Sequence, residues 1–188
     1  MSTVYNPANL LTWLRIVLIP VVVGLFYLPY EWGDIAAGLL FAVAGITDSL
    51  DGWIARRMGH VSPLGEFLDP VADKLIVATA LVLIVSRDPT WYVTLTAAVI
   101  IGREIAISAL REWMAEIGAR RKVAVSSLGK FKTIVQITGL SMMLFHEDLF
   151  GLPIYRIGLV LTVLAAVLTL WSMVVYLRAA WPDLSRSA

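Results

Sequence analysis

Four aspartates, Asp48, Asp51, Asp69 and Asp73, stand in a stretch that reads TDSLDGWIARRMGHVSPLGEFLDPVAD from Thr47 to Asp73, inside an otherwise very apolar chain. An ionised side chain costs about 2.5–3.5 kcal/mol within a bilayer even on the mild insertion scale, so something must hold these four in place. On a helix of about 3.6 residues per turn, Asp48 and Asp51 share a face, Gly52 and Ala55 form a small-residue floor on it, and Arg56 continues it one turn on. Asp69 and Asp73, four apart, share a second face. If the chain turns back in the loop from Gly59 to Pro63, the two acidic faces can meet. Converging carboxylates repel and drift toward protonation unless they pair with cations or bind metal. Arg56, Lys74 and Arg103 are the candidate partners in the first case. In the second, oxygen-only ligation in a chain without cysteine suits a hard ion, Mg²⁺ or Mn²⁺.

The elements that must position these groups are apolar helices. A length of 188 residues fits one domain, 1–188, and an apolar content of 59% with a mean hydropathy of +0.81 places the chain among integral membrane proteins. The absence of cysteine removes disulfides, thiolate nucleophiles and zinc–thiolate sites together. The first fourteen residues carry no Lys or Arg, so the basic leader of a signal peptide is missing and the first apolar run reads as a retained span.

Six apolar runs read as spans: Leu10 to Leu28, long enough to cross a bilayer, Ile35 to about Ala55, a third starting between Gly65 and Val71 and ending at Val85, Trp91 to Trp113, Phe131 to Phe145, and Leu152 to Leu177. Pro20 is a kink candidate in the first, and Pro70 fits either the first turn of the third or a kink inside a longer helix. The Ala and Gly content of the second run allows close helix contact. The expected fold is therefore an all-α integral membrane protein with six transmembrane helices. Six spans put both termini on one side, and thirteen of the fifteen Lys and Arg reach that side, all but Arg87 and Arg156. The excess makes that side cytoplasmic and places the aspartate stretch there. Trp32, Trp91, Trp113 and Trp181 lie near span ends as interfacial anchors, and neither His60 nor His146 is given a role.

Asp48, Asp51, Gly52, Ala55, Arg56, Gly65, Asp69 and Asp73, with their fixed gaps, resemble the signature of the CDP-alcohol phosphatidyltransferase family. PANLLTWLR from Pro7 to Arg15, GREIAISALREW from Gly102 to Trp113 and SLGKFKT from Ser127 to Thr133 resemble its bacterial members that accept glycerol phosphate, so the likeness covers most of the chain. It implies transfer of a phosphatidyl group from CDP-diacylglycerol to sn-glycerol 3-phosphate, with two divalent cations, Mg²⁺ or Mn²⁺, on Asp48, Asp51, Asp69 and Asp73, and Asp73 as base toward the acceptor hydroxyl. It further implies a homodimer in a bacterial inner (plasma) membrane. Gly52, Ala55 and Gly65 would let a nucleotide approach the backbone and Arg56 would neutralise a phosphate, while Asn9, Thr12 and Ser62 would also contact the CDP group.

Arg103 and Arg111 lie two turns apart on nearly one face, and with Lys130 and Lys132 they are read as an anion pocket for the acceptor's phosphate. A basic flank serving topology and anionic lipid is the simpler alternative. Transferases for serine, inositol phosphate or phosphatidylglycerol share the aspartate motif. Two more distant readings are an intramembrane prenyltransferase and a divalent-cation carrier. Nothing in the sequence suggests nucleic acid as a partner.

Overall fold

A computed structural model describes residues 7–58, 63–117 and 127–184 of the chain. Six helices follow one another through these residues: α1 (Pro7–Phe26), α2 (Glu31–Met58), α3 (Pro63–Arg87), α4 (Trp91–Glu116), α5 (Ser127–Phe145) and α6 (Ile154–Leu184). Pro7 and Pro63 each open a helix, where the missing N–H would have had no partner and the ring already fixes φ. Pro70 lies inside α3, so the question left open by the sequence is settled in favour of a longer helix that carries Asp69 and Asp73 on continuous turns.

The connections at one end of the bundle are short and specific. The Thr90 N–H, at the extended residue before α4, donates to Asp88 Oδ1 at 3.2 Å. Between α5 and α6, Leu149 and Leu152 exchange backbone hydrogen bonds of 3.2 and 2.9 Å around Phe150 and Gly151, whose φ angles are 53° and 77°. Two successive left-handed residues make the tight turn that a two-residue reversal requires, and Gly151 supplies one of them without steric cost.

Packing runs from α1 onto α2 and α3, from α2 onto α5, from α5 onto α6, and from α6 onto α4, with α3 also touching α4 and α5. Val22, Phe41, Ile100, Leu140 and Leu144, from four of these helices, are buried at the centre. The small-residue expectation for α2 is met at Gly38, where a Cβ would lie 2.6 Å from the Phe145 backbone nitrogen of α5. The same device joins α5 to α6, since a Cβ on Gly158 would lie 2.7 Å from the Gly139 carbonyl oxygen. Any side chain at these positions would force the helices apart.

Outward faces are apolar: Val17, Leu39, Leu95, Val160 and Trp171 are all exposed. α4 and residues Ile154–Arg178 of α6 are long and apolar enough to cross a membrane, and Thr12–Phe26 and Phe131–Phe145 are shorter apolar helices.

Candidate active site

α3 positions the acidic half of the site. Asp69 and Asp73 project from the same side of this helix, one turn apart, and each is gripped by a side chain of α1. The Thr12 hydroxyl donates to Asp69 Oδ1, and Arg15 Nη1 donates to Asp73 Oδ1 at 2.5 Å. Thr12 and Arg15 are 2% and 3% exposed, so these bonds are fixed in the α1–α3 interface, whereas the Asp73 side chain is 42% exposed and remains open to a ligand.

The sequence reading placed Thr12 against the nucleotide and looked to Arg56, Lys74 or Arg103 as partners for the acids. In the structure Thr12 also engages Asp69, and Arg15, which the sequence reading did not name, is a partner of Asp73. Arg15 was legible, because it is the first basic residue of the chain and stands one turn after Thr12.

A cavity of about 290 Å³ opens beside Asp73. Its walls come from Asp73 and Lys74 of α3, Arg103, Glu104 and Arg111 of α4, Lys132, Thr133 and Gln136 of α5, and Tyr176 of α6. Three of the four residues expected to bind the acceptor's phosphate, Arg103, Arg111 and Lys132, thus line one cavity. Lys132 lies 4% exposed and Arg103 7% exposed, depths at which a cation needs a partner. Glu104 supplies it to both: Arg103 Nη1 lies 2.5 Å and Lys132 Nζ 3.3 Å from Glu104 Oε1.

α6 holds the outer wall. Ser172 Oγ accepts a hydrogen bond of 3.1 Å from Arg103 Nη2. One turn on, the Tyr176 ring lies under the Arg111 guanidinium, with 5.6 Å from Cζ to the ring centroid. Sequence reasoning gave no role to Glu104, Gln136, Ser172 or Tyr176. Ser172 and Tyr176 are invisible without the fold, because a Ser and a Tyr in an apolar run carry no signal until a neighbouring helix brings arginines to them.

Among the described residues, four cations (Lys74, Arg103, Arg111 and Lys132) and two carboxylates (Asp73 and Glu104) line the cavity, an excess of two positive charges. Several buried polar atoms there also lack a partner, namely Arg103 Nε, Arg111 Nε and Gln136 Oε1. Such a cavity attracts a small dianion that brings oxygens to the arginines.

Other expected site residues fall beyond this geometry. Ser62 lies outside the described residues, and so do the side chains of Asn9, Asp48, Asp51, Gly52, Ala55, Arg56, Gly65 and Lys130, although α1, α2, α3 and α5 carry them. No group of three metal-ligating side chains occurs among the described residues. What the structure does offer is a donor set that fits a hard divalent cation: carboxylates one turn apart, each with one oxygen fixed by an outer hydrogen bond, in a chain without cysteine.

The sequence profile of the CDP-alcohol phosphatidyltransferase family matches residues 5–175, and the chain belongs to that family. Among its relatives are proteins of Escherichia coli (strain K12) and Shigella flexneri serotype 5b (strain 8401), each named CDP-diacylglycerol–glycerol-3-phosphate 3-phosphatidyltransferase. Each is 51% identical over 180 residues, covering 96% of this chain and 97% of the relative.

Proposed function

We propose that this chain transfers the phosphatidyl group of CDP-diacylglycerol to sn-glycerol 3-phosphate, giving phosphatidylglycerophosphate and CMP. The observation that carries the acceptor assignment is the double positive excess of the cavity beside Asp73. A phosphate monoester carries about −1.5 to −2 charges at neutral pH and matches that excess, whereas zwitterionic serine does not. The printed activity of relatives at 51% identity supports the same assignment. A cation carrier is disfavoured because Gly52, Ala55 and Arg56, set among the acids, have no purpose on that reading.

Arg103, Arg111 and Lys132, with Lys130 at the rim, bind the acceptor's phosphate and turn its terminal hydroxyl toward Asp73. Asp73 takes the proton of that hydroxyl while its oxygen attacks the phosphorus bearing diacylglycerol, and the bond from that phosphorus to the bridging oxygen breaks to release CMP. Arg15 keeps the Asp73 carboxylate in one orientation, and Thr12 does the same for Asp69. Asp48, Asp51, Asp69 and Asp73 would hold two divalent cations, Mg²⁺ or Mn²⁺, which when bound polarise the diphosphate and neutralise the leaving group. Gly52, Ala55 and Gly65 give the nucleotide access to the backbone, with Asn9, Thr12, Arg56 and Ser62 around it.

The setting proposed is a bacterial inner membrane, crossed six times, with both termini and the active site at the cytoplasmic face and two copies forming the working unit. The exposed apolar faces and the Lys/Arg distribution support it. Membranes containing the protein, supplied with CDP-diacylglycerol, Mg²⁺ and one acceptor at a time, should form a lipid product with sn-glycerol 3-phosphate and none after chelation. A product that depends on serine would overturn the assignment.

A further inference from the structure

We infer that Gln136 reads the second hydroxyl of the acceptor, the one that is not phosphatidylated, and so makes the cavity selective for a phosphorylated polyol; this rests on the function proposed above. Gln136 lies on α5 one turn beyond Lys132, is 4% exposed, and lines the cavity that Asp73 and the arginines share. Its Oε1 is buried and meets no donor. An unmet buried acceptor is destabilising, and among the described residues no donor reaches it. Lys132 directs its ammonium to Glu104, and Arg103 divides its guanidinium between Glu104 and Ser172.

Two kinds of group on the cavity wall suit parts of a glycerol phosphate. The cations match the phosphate and Asp73 matches the attacking hydroxyl, which leaves the hydroxyl on the middle carbon. Gln136 is the uncharged amide on the wall, and a carboxamide can accept from that hydroxyl or donate to it whichever way its two ends are turned.

The test compares two acceptors in one preparation of the full chain with CDP-diacylglycerol: sn-glycerol 3-phosphate, and 3-hydroxypropyl phosphate, which lacks the middle hydroxyl. The unaltered protein should prefer the former by about 100-fold or more in kcat/KM, as sites built to bond a hydroxyl do. Gln136→Met, close in length and volume, should lower kcat/KM for sn-glycerol 3-phosphate about tenfold or more while leaving the other acceptor unchanged, so that the preference falls by the same factor. Gln136→Glu keeps an acceptor atom and should retain the preference even if both KM values rise. A Met variant that loses both acceptors equally, or that is inactive toward both, overturns the inference and makes Gln136 a packing residue. Failure of the unaltered protein to use sn-glycerol 3-phosphate overturns the proposed function and this inference with it.

Discussion

The two ends of the helix bundle use the same chemical parts to opposite effect. Where α1, α2 and α3 meet at the far end, Arg87 pairs with Asp34 at 2.8 Å, donates to the Phe26 carbonyl at 3.1 Å, and lies 4.0 Å over the Phe26 ring. At the other end Arg111 also lies over an aromatic ring, that of Tyr176, but at 5.6 Å and on the wall of a cavity, with its Nε unmet. The far end has loose atoms too, Asp34 Oδ1 and His146 Nδ1, yet there Arg87 is answered by an acid of the chain, Asp34. The difference teaches how to separate charges that hold a fold from charges kept for a ligand. The first kind are used up by the protein, and the second are left in excess around an open volume.

Breaking the ligand end should have the largest effect. Arg111→Ala removes a charged donor from the proposed phosphate pocket and should raise KM for sn-glycerol 3-phosphate about 10- to 100-fold, with KM for CDP-diacylglycerol nearly unchanged. Steady-state kinetics with each substrate varied in turn checks this, and equal rises in both would remove the distinction between the two ends. Arg87→Ala should do the reverse. It strips Asp34 of its partner and should cost about 1–3 kcal/mol of stability, seen as a lower unfolding midpoint in detergent, while both KM values stay put. A smaller effect sharpens the contrast further: Tyr176→Leu removes the ring under Arg111 and should raise the acceptor KM about 3- to 10-fold, whereas Tyr176→Phe, which keeps the ring face, should restore most of it.

The sequence disclosed one side of this contrast better than the other. Charges in apolar runs are conspicuous, so Asp69, Asp73, Arg103, Arg111 and Lys132 could be singled out by type and spacing, and the structure gathers all but Asp69 around one cavity. Helical periodicity gave the six elements, because long apolar runs broken by Pro and charge leave little choice of secondary structure. Arg87 and Asp34 were not paired, since nothing in a linear sequence says that the ends of α1 and α3 lie beside the start of α2. Gln136, Ser172 and Tyr176 were silent for the same reason. A polar residue in a span acquires meaning from the helix it faces, and helix pairing depends on close approaches such as that at Gly158 rather than on local pattern.

The smallest expected effect concerns the second polar contact of the far end. Tyr155 donates its hydroxyl proton to Asp88 Oδ2 at 2.6 Å, and this bond, aided by Thr90 and opposed by partial burial, holds the Asp88 carboxyl below its ordinary pKa of 3.8. A carboxyl depressed on folding adds stability that is present above its unfolded pKa and is lost as pH falls through the folded one. Tyr155→Phe removes the main cause, so the variant should be less stable by about 0.5–1.5 kcal/mol at neutral pH. That gap should close as pH drops below about 4, where Asp88 begins to be protonated in the unfolded chain. Unfolding midpoints of the two proteins in detergent, measured across acid pH, decide it. A gap that stays constant would mean that Tyr155 acts through packing alone. A gap that widens toward acid would mean that the contact stabilises the protonated carboxyl, contrary to the ionised pairing that distinguishes this end of the bundle. Acceptor KM at neutral pH should not respond to Tyr155→Phe, because neither Tyr155 nor Asp88 lines the cavity beside Asp73.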